Sequence, residues 1–248
     1  MRRIALLLTI TCFASAAQAA TTCADLPDHT ALKAALKDAA AQKNGGFGQP
    51  VWGTIVDRSG IVCAVTYSGA TEDAQWPGSR GIAAQKANTA NAFSLAGLAL
   101  STANLYAATQ PGGSLYGLQA SNPVNTAVLY EGNVMDYGTN GDPMVGKRIG
   151  GVNVFVGGLA LYNDKGQLLG GIGVSGDSSC ADHNVAWRVR HNLRLDFVPT
   201  GVAKDKSDQI IYDITNGKSA SGWGHATCAG SEAGVSHSLP PISKLEKK

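Results

Sequence analysis

Apolar residues recur at helical spacing near the start of the chain: Leu32, Ala35, Leu36 and Ala39 fall at i, i+3, i+4 and i+7. Asp28 stands where an N-cap is needed and Lys43-Asn44-Gly45 supplies a stop, so the pattern predicts one helix between them. The period then changes. Val51–Val56 and Ile61–Tyr67 are short apolar runs on either side of Asp57-Arg58-Ser59-Gly60, the pattern of a β-hairpin. Residues 79–100 return to a helical texture. Ala83, Ala87, Ala90 and Gly97 form a stripe of small residues, Ile82, Phe93 and Leu100 add bulk, and Lys86 and Thr89 are the polar insertions.

Periodicity is lost over 104–148, which carries Pro111-Gly112-Gly113, Asn122-Pro123, Asp142-Pro143 and four of the seven tyrosines. Such a length predicts an irregular excursion serving a site or an interface. Three more apolar runs follow, Val152–Val156, Leu159–Tyr162 and Leu168–Val174, separated by Gly157-Gly158 and Asn163-Asp164-Lys165-Gly166. They predict an antiparallel meander. Ser179-x-x-Asp182 then opens a helix with Val185, Val189 and Leu193 on its buried line and Arg188, Arg190 and Arg194 off it. The segment from Pro199 onward is polar and turn-rich, a covering extension. The elements sum to a five-stranded antiparallel sheet flanked by helices: one α+β domain over 20–198 with the 104–148 insertion, then the extension 199–248.

Composition narrows the classes. With 44% hydrophobic residues the chain is not disordered, and a formal charge of +2 gives no electrostatic basis for nucleic-acid binding. Arg2 and Arg3 precede an apolar run, Ile4 to Ala17, closed by Ala17-Gln18-Ala19, which reads as a secretory signal peptide over 1–19 cleaved near Ala19. The run is too short for a membrane span, so no stable membrane insertion is expected. Removing 1–19 takes two of 20 basic residues and one of five cysteines, leaving a formally neutral chain with four cysteines. The expected location is periplasmic or secreted.

An even set of cysteines in an oxidising compartment favours two disulfides, and the preferred pairing is Cys23–Cys63 with Cys180–Cys228. The alternative is zinc: Cys180-x-x-His183 and His225-x-x-Cys228 have ligand-like spacing.

Three segments resemble the GlcG/HbpS-like haem-binding family. They are Ile82-Ala83-x-x-Lys86-Ala87-x-Thr89-Ala90-x-x-Phe93, the hairpin turn Val56-Asp57-x-x-Gly60, and Gly157-Gly158 followed by Gly170-Gly171-Ile172-Gly173-Val174-Ser175-Gly176 and Asp182. The resemblance covers about 30–195 and implies a profilin-like α+β fold, homo-oligomers, and binding of haem or a related tetrapyrrole. The chain departs from the family at Tyr67-Ser68-Gly69-Ala70, in the 104–148 excursion and in the cysteine-bearing extension.

The residues leave hydrolysis poorly supported: Ser175 lies in no nucleophile elbow, and Gly171-x-Gly173-x-x-Gly176 closes a meander rather than opening a βαβ unit. Haem asks for an apolar slot, axial ligands and cations for its propionates. His183 is the first axial candidate, followed by Met144 and Tyr137. Lys86 and Arg188 are candidates for the propionates, and Thr89 lies beside Lys86 on the same helix. No catalytic residue and no resident metal are expected. The leading expectation is an exported, non-catalytic, oligomeric binder of haem or a related tetrapyrrole. The alternatives are a haem-degrading or metal-dependent enzyme on the same scaffold, and a structural envelope protein.

Overall fold

A computed structural model describes residues 22–246. The proposed signal peptide therefore lies outside the described residues. The first helix, α1 (His29–Ala40), is capped by Asp28, whose carboxylate accepts from the Ala31 amide at 2.9 Å, and it buries Leu32, Ala35, Leu36 and Ala39. The hairpin follows as β1 (Trp52–Asp57) and β2 (Val62–Tyr67), paired antiparallel. Helix α2 (Gly78–Phe93) ends seven residues short of its expected stop, and α3 (Thr102–Thr109) begins just before the stretch of lost periodicity and runs into it. Two single-turn helices, α4 (Leu118–Ser121) and α5 (Thr126–Leu129), give that stretch more regular structure than its composition suggests. Strands β3 (Gly158–Tyr162) and β4 (Leu168–Ser175) and helix α6 (Ser179–Asn192) complete the main body.

The sheet has four strands in the order β2-β1-β4-β3, every pair antiparallel, and not the five expected. The missing strand is Val152–Val156. Its amides are taken elsewhere: Val152 donates to the Asn122 carbonyl, Asn153 to Thr89 Oγ1, Val154 to Gln119 Oε1 and Phe155 to Asn153 Oδ1. A backbone whose donors are bonded to side chains and a loop has none to offer a ladder.

Both faces of the sheet are covered. Ile55, Ile172 and Val174 point to α1 and α6, packing with Leu32, Leu36, Val185 and Val189. Trp52 and Val56 point to α2, packing with Ala83, Ala84 and Ala87 and with Leu129, Met144 and Ile149. The glycines of β4 belong to this second face. A Cβ on Gly171 would collide with the Ala87 carbonyl and one on Gly173 with the Ala83 carbonyl, so α2 rests its backbone directly on the strand. That contact explains the glycine-rich strand and the alanine stripe together.

The extension contains a short hairpin, β5 (Ile214–Thr215) with β6 (Lys218–Ser219), and α7 (Glu232–Ser236). It lies over α6. The Trp187 indole donates to the Pro240 carbonyl at 2.8 Å, Ser178 Oγ donates to Glu232 Oε1, and Leu239 and Ile242 join the core. Disulfides Cys23–Cys63 (S–S 2.01 Å) and Cys180–Cys228 (2.04 Å) adopt the preferred pairing. Arg190, expected off the buried line, is fully buried and forms a two-pronged pair with Asp208 of the extension, both contacts at 2.7 Å.

Candidate functional site

The chemistry divides between two regions, one at each end of the buried polar residues of α2. At its N-terminal end, Arg80 is 3% exposed and every nitrogen of its guanidinium is engaged. Nε donates to Asp142 Oδ2 at 2.9 Å, a second nitrogen bonds the other Asp142 oxygen, and the third donates to the Leu129 carbonyl at 2.7 Å. Its plane lies 3.6 Å from the centre of the Tyr137 ring, a cation–π contact. Asp142 also accepts from the amides of Gly138 (2.7 Å) and Met144 (2.9 Å). One arginine therefore organises the second half of the excursion, with Leu129 dropping onto Gly81, where a Cβ would leave it no room.

Beside this clamp opens a cavity of about 570 Å³ lined by Trp52, Pro77, Gly81, Leu129, Tyr130, Val134 and Tyr137 together with the charged Arg80, Glu72 and Asp73. The lining is mostly apolar and aromatic. Trp76, Tyr130, Val134 and Met135 stand more than half exposed in the same neighbourhood, a concentration of large apolar groups in water that a folded surface does not need for stability.

The other region lies under the extension. Lys86 is buried, and its ammonium donates to the Val174 carbonyl (2.9 Å), Ser175 Oγ (3.2 Å) and Asp182 Oδ2 (2.8 Å), filling its three donor positions. Burial raises the Asp182 carboxyl to about 6 against the attraction of Lys86, and burial lowers the Lys86 ammonium. His183 is fully buried, its Nε2 2.7 Å from Gln209 Oε1, and burial lowers it to about 4. His225 is lowered by burial as well, with Nδ1 on the Ala226 carbonyl and its ring 4.3 Å from that of Tyr106.

The residues singled out in the sequence are thus dispersed. Tyr137 lines the cavity, and Met144 packs in the core cluster that includes Trp52 and Leu129. Lys86 and Thr89 are occupied by protein partners: Thr89 Oγ1 donates to the Gln85 carbonyl and receives the Asn153 amide, whereas His183 is engaged through Nε2 by Gln209 and the Ile210 amide and its buried Nδ1 has no partner. Arg188 bonds Asn44 on the α1 side of the molecule. The zinc alternative at Cys180, His183, His225 and Cys228 does not form, because the two sulfurs are bonded to each other and the imidazoles turn to Gln209 and Ala226. Among the described residues, the group of possible metal ligands that does cluster is Cys23, Asp57 and Cys63, where the sulfurs are likewise joined. Sequence reasoning missed Arg80, Asp142 and Tyr130. A lone arginine two residues before Ile82 carries no local signal, and its partner is 62 residues away.

The model of the HbpS-like family, described as haem degrading protein HbpS-like, matches residues 26–190. Among solved structures, a PduOC–haem complex is 27% identical over 67% of this chain and 91% of that one, with a TM-score of 0.46. Klebsiella pneumoniae ORFY is 24% identical over 72% of this chain and 94% of that one, with a TM-score of 0.48. HbpS itself is 18% identical over 75% of this chain and 99% of that one, with a TM-score of 0.45. No curated protein matches the chain.

Proposed function

Because the chain belongs to the HbpS-like haem degrading protein family, we propose that it is an exported, non-catalytic binder of haem or a related tetrapyrrole, acting as an oligomer. The observation that carries this reading is the aromatic cavity beside Arg80. Its volume lies in the range of small-molecule sites, its lining is mostly apolar, and the rings of Tyr130 and Tyr137 reach it over the buried Trp52. The residues fit such a ligand in one orientation. Arg80 has its donors committed to Asp142 and Leu129, and Glu72 and Asp73 are acidic. The apolar edge of the macrocycle therefore enters and its carboxylates stay in water. The two disulfides and the absence of a membrane-spanning helix among the described residues are compatible with export.

Haem is the cargo of such a protein, and the side chains supply burial and orientation. A visible-spectrum titration of the mature protein with ferric haem tests the reading. Saturation near one haem per chain, with a spectrum stable under reductant and air, is the expected result. A linear, unsaturated rise would sink the binder. Steady bleaching under reductant and air would replace it with a haem-degrading enzyme.

A further inference from the structure

Resting on that reading of the cavity, we infer that Tyr130 is the iron ligand of the bound ferric haem. Among the cavity's lining residues there is no histidine, cysteine or methionine, and the side chains able to bind ferric iron are Tyr130, Tyr137, Glu72 and Asp73. Tyr137 is committed twice: its ring lies on the Arg80 guanidinium and its hydroxyl donates to the Glu131 carbonyl at 3.2 Å. Asp73 accepts from the Thr71 hydroxyl, and Glu72, whose carboxylate is free among the described residues, is a weaker ligand for ferric haem iron than a phenolate. Tyr130 is different. The residue is 70% exposed, so its hydroxyl faces water rather than a protein partner.

The backbone carrying that free phenol is nevertheless held on both sides. The Tyr130 amide donates to Thr126 at 3.1 Å, the preceding Leu129 carbonyl receives Arg80, and the Leu129 side chain is buried against Gly81. A fixed backbone with an unengaged ring turning on two torsions suits a residue that waits for a ligand and closes on it. Ligation is balanced simply: the phenol loses its proton to water, its oxygen bonds the iron, and a water on the iron leaves. Arg80 is the positioning residue, acting through Leu129 and through the stack with Tyr137.

The test compares the full mature chain with Tyr130→Phe, Tyr137→Phe and Glu72→Gln, each titrated with ferric haem and read by visible absorption and resonance Raman. Wild type is expected to show the phenolate-to-iron charge-transfer band and phenolate ring modes. In Tyr130→Phe both signatures vanish and affinity falls by about tenfold or more. Tyr137→Phe and Glu72→Gln keep them. Because Tyr130 is a surface residue, its Phe variant should retain the wild-type urea midpoint, so a loss of uptake is not a loss of fold. Saturable uptake with an unchanged spectrum in Tyr130→Phe would overturn the ligand assignment and leave the cavity reading standing. Transfer of the effect to Tyr137→Phe or Glu72→Gln would do the same. Failure of wild type to bind at all would remove the reading and the assignment together.

Discussion

Arg80 and Lys86 lie on the same helix, are both buried and both meet a carboxylate, yet they serve regions of opposite character. Around Arg80 the pairing with Asp142 leaves an open, aromatic cavity at the surface. Around Lys86 the pairing with Asp182 closes β4 onto the start of α6, and the extension seals the neighbouring His183 under Gln209. The difference lies in what covers each pair. The excursion folds back on itself around its own arginine partner and keeps a mouth, whereas the extension is pinned by a disulfide and spreads over α6. A buried charge pair is therefore no guide to where a ligand goes. What distinguishes the two ends is unengaged apolar surface beside the pair.

The comparison is broken most forcefully at Arg80. In Arg80→Met the Asp142 carboxylate stays buried and loses its partner, an arrangement that costs about 3–5 kcal/mol. Urea unfolding should show that loss, together with weakened haem uptake at temperatures where the variant is still folded. A midpoint within experimental error of wild type would mean that the clamp does not hold the excursion.

His183→Gln tests the sealed end through pH. Burial raises Asp182 to about 6, so its contribution to stability is full at low pH and is lost as pH rises from about 4 to about 6. Burial lowers His183 to about 4, so its contribution is present above its unfolded value of 6.5 and is lost as pH falls from there to about 4. The two slopes oppose each other. His183→Gln should lose stability relative to wild type on going up through pH 4 to 6. Urea midpoints against pH measure it. A variant profile parallel to that of wild type would remove this account. Haem uptake at neutral pH should be unchanged by the same substitution, and a large loss would restore His183 as a ligand.

The smallest effect is expected at the two acids of the cavity lining. Replacing Glu72 and Asp73 with Gln and Asn removes two acids facing the ligand's carboxylates and should tighten ferric haem binding by a few-fold at low ionic strength, roughly 1 kcal/mol. The gain should shrink at high salt. An equal or weaker affinity would mean that the carboxylates leave by another side.

Much of the scaffold is legible in local pattern. The four-residue line of α1, its Asp28 cap and the β1–β2 hairpin all lie where hydrophobic spacing and turn residues place them. The Val152–Val156 run has the composition of a strand and is not one, since Thr89, Gln119 and Asn122 reach its amides from elsewhere in the chain. The candidate site is less legible. Tyr137 stands out in the sequence as a ligand-side residue and does line the cavity, while Lys86, Thr89 and His183 stand out equally and have protein partners.

The division follows from range. Periodicity, caps and glycines report the face an element shows and the closeness it permits, so the amino-acid sequence alone placed the first helix, the hairpin, the two later strands and the closing helix in order, and supplied a small-residue stripe able to approach another layer and an even set of cysteines suited to two bridges. The partner of a buried charge depends on how distant segments return over the core. Arg80 meets Asp142 across 62 residues, and Arg190 meets Asp208 on the extension. Those meetings are set by loop paths and by the desolvation cost of leaving a charge unpaired, which no local pattern encodes. Only the tertiary structure decided that the cavity would open at Arg80 and that His183 would be sealed.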